Sequence, residues 1–424
     1  MNDKIIAVEA QQIIDCKCRP AVEVVVRTES GAIGRGAAPT GTSVGMYEAW
    51  VLRDGDKSTY NGLSVHKAVQ NVEQIIAPAL IGMNIFDQRA IDDTMIALDG
   101  TENKQKLGGN AIYSVSIAAF RAAADARRIP LYNYIAGGEI KTVPVPCFNV
   151  INGGRYELFS QTFNEFLIVP YVTDSIDEAI EMAVTVFQKL NDVLTRYLSS
   201  KPQVASSYGY AAPSDDPEVV LYLMQEAIDQ CGYTGRIAFA LDCASSEFYD
   251  ADSKTYLLKG ERVTSDRLIA YARELSEKFN FVFIEDLLDE NDWEGYQKAV
   301  REIPRTLILG DDLTVTKLSF LQRAYEEKAV DGFILKPNQV GTISEAMDAY
   351  HFAADKGLIA VPSGRSGGVV DDVVMDFSVG LQVPLQKNGA PRSGERIEKL
   401  NFLMRANAAS EHCRLYDISP LVRF

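Results

Sequence analysis

An α/β barrel preceded by a smaller α+β domain is the fold this sequence predicts, and three observations carry the prediction. The chain has 424 residues, 47% hydrophobic and 24% charged, which is ordinary globular material for a large core and fits two domains. In its second part, apolar runs of strand length each end in a polar residue: "RIAFALD" at Asp242, "FVFIE" at Glu285, "TLILGD" at Asp311, "GFILK" at Lys336, "LIAVPS" at Ser363 and "VPLQK" at Lys387. The intervals between these endings are 43, 26, 25, 27 and 24 residues, and about twenty-five residues is what one strand, one helix and two short loops consume.

Taken in order, the amino-terminal part opens with "PAVEVVVRTESGAIGRG", two alternating strands around a turn, and later carries the helical stretch "NAIYSVSIAAFRAAADARR". The segment "AGGEIKTVPVP" (136–146) gathers Gly, Pro and polar residues and places the boundary, giving an α+β capping domain over 1–138 and a barrel of (β/α)8 type over 139–424. Between Asp242 and Glu285, "SSEFYDADSKTYLLKGERV" reads as a hairpin around Asp252–Ser253. Further on, Thr342 with Glu345 forms a capping box before "EAMDAYHFAADKG", whose Gly357 suits the helix end. Successive parallel βα units close most economically into a barrel, with the active site at the carboxyl ends of the strands, where the polar residues fall.

Charge and composition exclude several functions. A net charge of −16 makes nucleic acid a poor partner, because counterion release needs clustered Lys and Arg. A small anionic substrate can still occupy a local basic pocket. No run approaches the ~18 apolar residues of a membrane span and "MNDKIIAVEA" carries no signal-peptide pattern, so the expected location is the cytoplasm, with no membrane partner. The six cysteines are scattered, which suits free thiols. Three histidines are too few for a histidine-rich metal site, and they make a histidine-based triad improbable.

Asp242, Glu285 and Asp311 at consecutive strand ends would bring three carboxylates together, a repulsion relieved by protonation or by a cation. Oxygen-only ligands fit Mg2+. Any one acid alone reads better as a helix cap or a salt bridge. Lys336 and Lys387 lie across the same mouth, where a desolvated lysine near other cations is brought toward neutrality and can take the proton α to a metal-bound carboxylate. For either lysine alone, pairing with Asp312 is an equal alternative. In "SGRSGG" (363–368), Arg365 and Ser366 offer donors for a phosphate or second carboxylate, with a bare Gly364 beside them. The loop "APTGTSVG" (38–45) has amides and hydroxyls able to close over the same anion.

The sequence resembles the enolase family over nearly its whole length. The stretches that carry the resemblance are "PTGTSVGMYEAWVLRDGDKSTYNG", "FNVINGG", "NEFLIVP", "LDCASSEFYD", "FIEDLLDENDWEGY", "LGDDLTVTK", "LKPNQVGTISEAMDAY", "SGRSGGVVDD", "VGLQ" and "KNGAPRSGER", all in one order. The resemblance implies an enolase-type modified TIM barrel and metal ligands at Asp242, Glu285 and Asp311, with a second Mg2+ arriving with substrate. It also implies a proton-abstracting Lys336, and Lys387 beside the substrate carboxylate. Arg365 with Ser366 becomes a phosphate cradle, Ser43 a lid residue reaching a metal and the phosphate, and Glu165 one of two acids near the leaving hydroxyl. A homodimer or dimer-based octamer is implied too.

The departures sit around the substrate. Enolases read S-H-R-S where this chain has Ser363-Gly364-Arg365-Ser366, and N-G-G-S-H where it has "NGGRY", so Gly364 and Tyr156 stand for two histidines. The loop G-D-E-G-G-F-A-P is here "SSYGYAAP", without a glutamate and with Tyr208 as the replacement the sequence suggests. Losing a positioned general acid costs ~10²–10⁴ in rate. The pattern therefore points to a Mg2+-dependent lyase that enolises a phosphorylated or phosphonate-bearing carboxylate other than 2-phosphoglycerate, in the manner of carboxyphosphonoenolpyruvate synthase. Weak dehydration of 2-phosphoglycerate is the alternative, and a non-catalytic enolase-like binding protein a third.

Overall fold

The computed structural model describes residues 2–41, 45–154 and 160–424. Strands β1 (Ile5–Ile14), β2 (Pro20–Thr28) and β3 (Ile33–Ala37) form an antiparallel sheet in that order. Helix α1 (Gly109–Ala126) lies across it and is buried on almost every side, because the sheet covers one face and the following barrel another; a helix apolar all round belongs in such a sandwich. Gly34 and Gly36 on β3 permit this approach, since a Cβ at either would run into the α1 backbone at Ala118 or Ser114.

Eight strands build the barrel: β4 (Val145–Gly154), β5 (Gln161–Pro170), β6 (Ile237–Asp242), β7 (Phe281–Glu285), β8 (Leu307–Gly310), β9 (Gly332–Leu335), β10 (Ile359–Pro362) and β11 (Leu385–Gly389). Around the wall the order is β10-β9-β8-β7-β6-β5-β4-β11. A bridge between Ser363 and Lys387 joins β10 to β11 and closes the ring. Strand β5 runs antiparallel to both β4 and β6, whereas the other pairings are parallel. The spacing of polar strand ends covers β6 to β11; it does not register β4 and β5. The modified barrel of the sequence reading is thus what the chain forms.

The elements in the intervals follow the local signals. Thr342 accepts the Glu345 amide at 3.2 Å, and helix α2 (Ile343–Lys356) ends at Gly357 with φ 73°. The predicted hairpin turns through Ala251–Lys254, between Tyr249–Asp250 and Thr255–Leu258, and a third strand, Glu261–Val263, extends it to a meander. The first sheet's domain grips α2 at its start: the Ile343 amide donates to Ser116 Oγ and the Ser344 amide to Asp92, both at 2.9 Å. These are orphan helix donors satisfied from outside the barrel. All six cysteines are free thiols, and among the described residues no helix is long and apolar enough to cross a membrane.

Candidate active site

Side-chain parity along the barrel strands decides what meets at the mouth. The barrel interior is filled by Leu167 and Val169 of β5, Ala238 and Ala240 of β6, Phe283 of β7, Leu307 and Leu309 of β8, Ile334 of β9, Val361 of β10 and Leu385 of β11. Residues two apart on a strand share a face. One step past this apolar plug on the same face come Glu165, Asp242, Glu285, Asp311, Lys336, Ser363 and Lys387, so every barrel strand except β4 delivers one polar group to a common opening. A cavity of about 90 Å³ forms there, lined by Glu165, Asp242, Asp311, Lys336, Lys387 and the turn 363–366, with Ser206 and Ser207 on its rim.

Acids and lysines in this opening bind one another. Lys387 Nζ donates to Asp242 at 2.9 Å and to Glu285, and lies 3.5 Å from Glu165. Lys336 Nζ pairs with Asp311, whose other oxygen accepts Gln339 at 2.8 Å. The alternative pairing with Asp312 is not the one formed. Burial opposes the charge of both lysines, yet the facing carboxylates outweigh it and raise both above the ordinary lysine value, Lys387 well above. This differs from the neutral lysine the sequence reading expects: the Asp311 carboxylate paired with it holds Lys336 as ammonium. For Asp311, burial is outweighed by Lys336, and the net shift is downward. Glu285, wholly buried and beside Asp242, is pushed well up.

A divalent cation suits this donor set. Among the described residues no hydrogen-bond donor reaches the buried Glu285 Oε1, an oxygen of the kind a cation satisfies, and Asp242, Glu285 and Asp311 offer oxygen only. A second acid group, Asp286 with Asp311 and Asp312, has its oxygens within 4.8 Å of one another. Asp286, however, already accepts the amides of Asp311 and Asp312 at 2.8 Å and the Tyr296 hydroxyl at 3.1 Å. Burial and Asp311 push its carboxyl up to about 7. It therefore acts as a clamp that fixes the loop bearing Asp311.

The "SGRSGG" turn is tied to the amino-terminal domain. Arg365 holds Glu48 through two hydrogen bonds, 2.8 and 3.1 Å, both side chains being buried, and Glu48 in turn accepts the Gly45 amide at 3.0 Å. Thr40 and Gly367 exchange backbone hydrogen bonds at 2.9 and 3.0 Å. Both described ends of the 38–45 loop thus reach the turn. Ser43 and Tyr156 lie outside the described residues. Ser366 and Gly364 stand in the cavity wall.

Tyr208 departs from that reading. Its hydroxyl donates to the Cys16 carbonyl at 2.5 Å, its ring faces the Arg396 guanidinium, and it is absent from the cavity wall, where Ser206 and Ser207 appear. Burial and Cys16 raise its pKa. The residue has φ 72°, a left-handed turn that aims the side chain at the 15–18 loop instead of the mouth. Sequence reasoning missed the supporting residues: Gln339, Glu48, Asp286 and Asn149, which donates to Glu165 at 2.7 Å. Only Gln339 has a local signal, three residues after Lys336 at a helix start.

With this geometry in place, comparison with known proteins decides the family. Residues 5–135 match the family model "Enolase, N-terminal domain", and residues 140–417 match "Enolase, C-terminal TIM barrel domain". The chain belongs to the enolase family. Similar relatives named "Enolase" come from Methanococcus maripaludis, strains S2 and C5, and from Methanococcus aeolicus. Each is 42% identical over 402 residues, covering 95% of this chain and 94% of the relative. Enolase-type lyase chemistry is the activity this membership carries.

Proposed function

We propose that the chain is a Mg2+-dependent lyase that removes the proton α to the carboxylate of a phosphorylated or phosphonate-bearing acid, on a substrate other than 2-phosphoglycerate. The observation that carries the reading is the convergence of Lys336, Lys387, Glu165 and Arg365–Ser366 on one cavity. Asp242, Glu285 and Asp311 would hold the cation, which draws electron density from the substrate carboxylate and makes the α-hydrogen acidic. Lys387 faces that carboxylate, and Arg365 with Ser366 holds the phosphorus group. Lys336 takes the proton: with the Asp311 and Glu285 charges engaged elsewhere, burial together with Arg365 and Lys387 would lower its pKa toward a free amine. The C–H electron pair passes into the enediolate and then into the new C=C bond as the β-substituent departs. Glu165, oriented by Asn149, gives that leaving group its proton.

Gly364 and the glutamate-free loop 206–213 support a substrate other than 2-phosphoglycerate. The 42% identity to relatives named "Enolase" favours a second reading, dehydration of 2-phosphoglycerate to phosphoenolpyruvate. Absorbance of phosphoenolpyruvate formed from 2-phosphoglycerate with Mg2+, with Lys336→Ala as blank, separates them: robust turnover selects the second reading and its absence the first. We further propose a division into capping domain 1–138 and barrel 139–424, a homodimer or dimer-based octamer, and a cytoplasmic location.

A further inference from the structure

Beyond Arg365 and Lys387 the cavity continues into an annex of about 30 Å³, to which Asn388, Gly389, Arg396 and Lys399 are added as wall. Arg396 and Lys399 come from one helix, α4 (Gly394–Ala408; α3 being Val374–Gly380), and each reaches the annex past a glycine. A Cβ at Gly364 would collide with Lys399 Nζ, and one at Gly389 with Arg396 Nε. The bare Gly364 is thus what admits the Lys399 ammonium to the wall; any larger residue there displaces it.

The annex wall presents four cations, Arg365, Lys387, Arg396 and Lys399, beside Glu165, and Arg365 and Lys387 are paired from outside that wall by Glu48, Asp242 and Glu285. Lys399 is 4% exposed and pairs with Glu395 at 2.5 Å, with Asp372 3.9 Å away; Arg396 donates to the Ser207 carbonyl at 2.8 Å. Glu395 and Asp372 are not part of the annex wall. An ammonium has three donors, and a neutral group placed against Lys399 and Arg396 would leave buried cationic donors poorly filled.

We propose that the annex binds a second acidic group of the substrate, carried on the carbon next to the one that loses its proton, and that Lys399 is the residue reading it. The inference rests on the enolising reading above, which already engages the first carboxylate and the phosphorus group. It narrows the substrate to phospho- or phosphono-acids bearing an additional carboxylate or comparable anion.

Two probes differ by this group alone: 2-phosphonopropionate and phosphonosuccinate, which carries a carboxylate on the methyl carbon of the former. Calorimetric Kd values in the presence of Mg2+ are expected to favour phosphonosuccinate at least about tenfold, the scale of one charge-assisted contact. In Lys399→Met the ratio falls to about one, which a general loss of fold would not produce because both probes share the rest of the site. Gly364→Ala, which keeps the lysine but displaces it, lowers the ratio in the same direction. Equal affinity in the unaltered protein, or an unchanged preference in both variants, overturns the proposal. Failure of 2-phosphonopropionate itself to bind overturns the enolising reading; binding of both probes without discrimination overturns the annex alone.

Discussion

Arg365 and Glu48 illustrate how individual side chains in this protein hold charge where water is excluded. The fork of the guanidinium meets both carboxylate oxygens, and both groups are buried, so removing one leaves the other uncompensated. Arg365→Met is expected to cost about 3–5 kcal/mol in chemical denaturation. Adding Glu48→Gln should return part of that loss, and a double-mutant cycle that shows simple additivity would contradict the pairing. Arg365, Lys336, Lys387 and the three acids were legible in sequence because each ends a strand or sits in a distinctive turn. Glu48, Asp286 and Asn149 were not, since their partners are chosen by tertiary packing that no local spacing encodes. Tyr208 was misplaced for a related reason: its direction is set by a left-handed backbone turn.

At the scale of elements, helices from the two parts of the chain are locked by ions. Arg121 on α1 reaches Asp371 at 2.8 Å and Asp376 on α3 at 3.3 Å. Burial raises the Asp376 carboxyl, against the pull of Arg121, to about 6. Above the unfolded value of about 3.9 the native state then binds more protons than the unfolded chain, so stability falls as pH rises from about 4 through about 6. Asp376→Asn is expected to remove that component from the dependence of melting temperature on pH; an unaltered slope would reject it. Helix α2 and the βα spacing were readable because capping boxes and apolar runs are local signals. The antiparallel course of β5 was not, because strand direction depends on how β4 and β5 connect, and a run of apolar residues carries no arrow.

At the scale of the molecule, two apparently opposed facts are reconciled. A chain of net charge −16 sets Lys336, Lys387 and Arg365 among carboxylates at one mouth, where strand parity lifts both lysines just above an apolar plug, and the amino-terminal domain closes on that mouth through Thr40–Gly367 and Glu48–Arg365. The central claim is that Lys336 takes a proton from the α-carbon of a carboxylate there. Exchange of the α-hydrogen of 2-phosphoglycerate into D2O, followed by NMR with and without Mg2+, tests it most directly, since exchange needs the enolising half of the site and not departure of the leaving group. The account predicts Mg2+-dependent exchange that falls by ~10²–10⁴ in Lys336→Ala. No exchange in the unaltered protein, or exchange undiminished by that substitution, would contradict it.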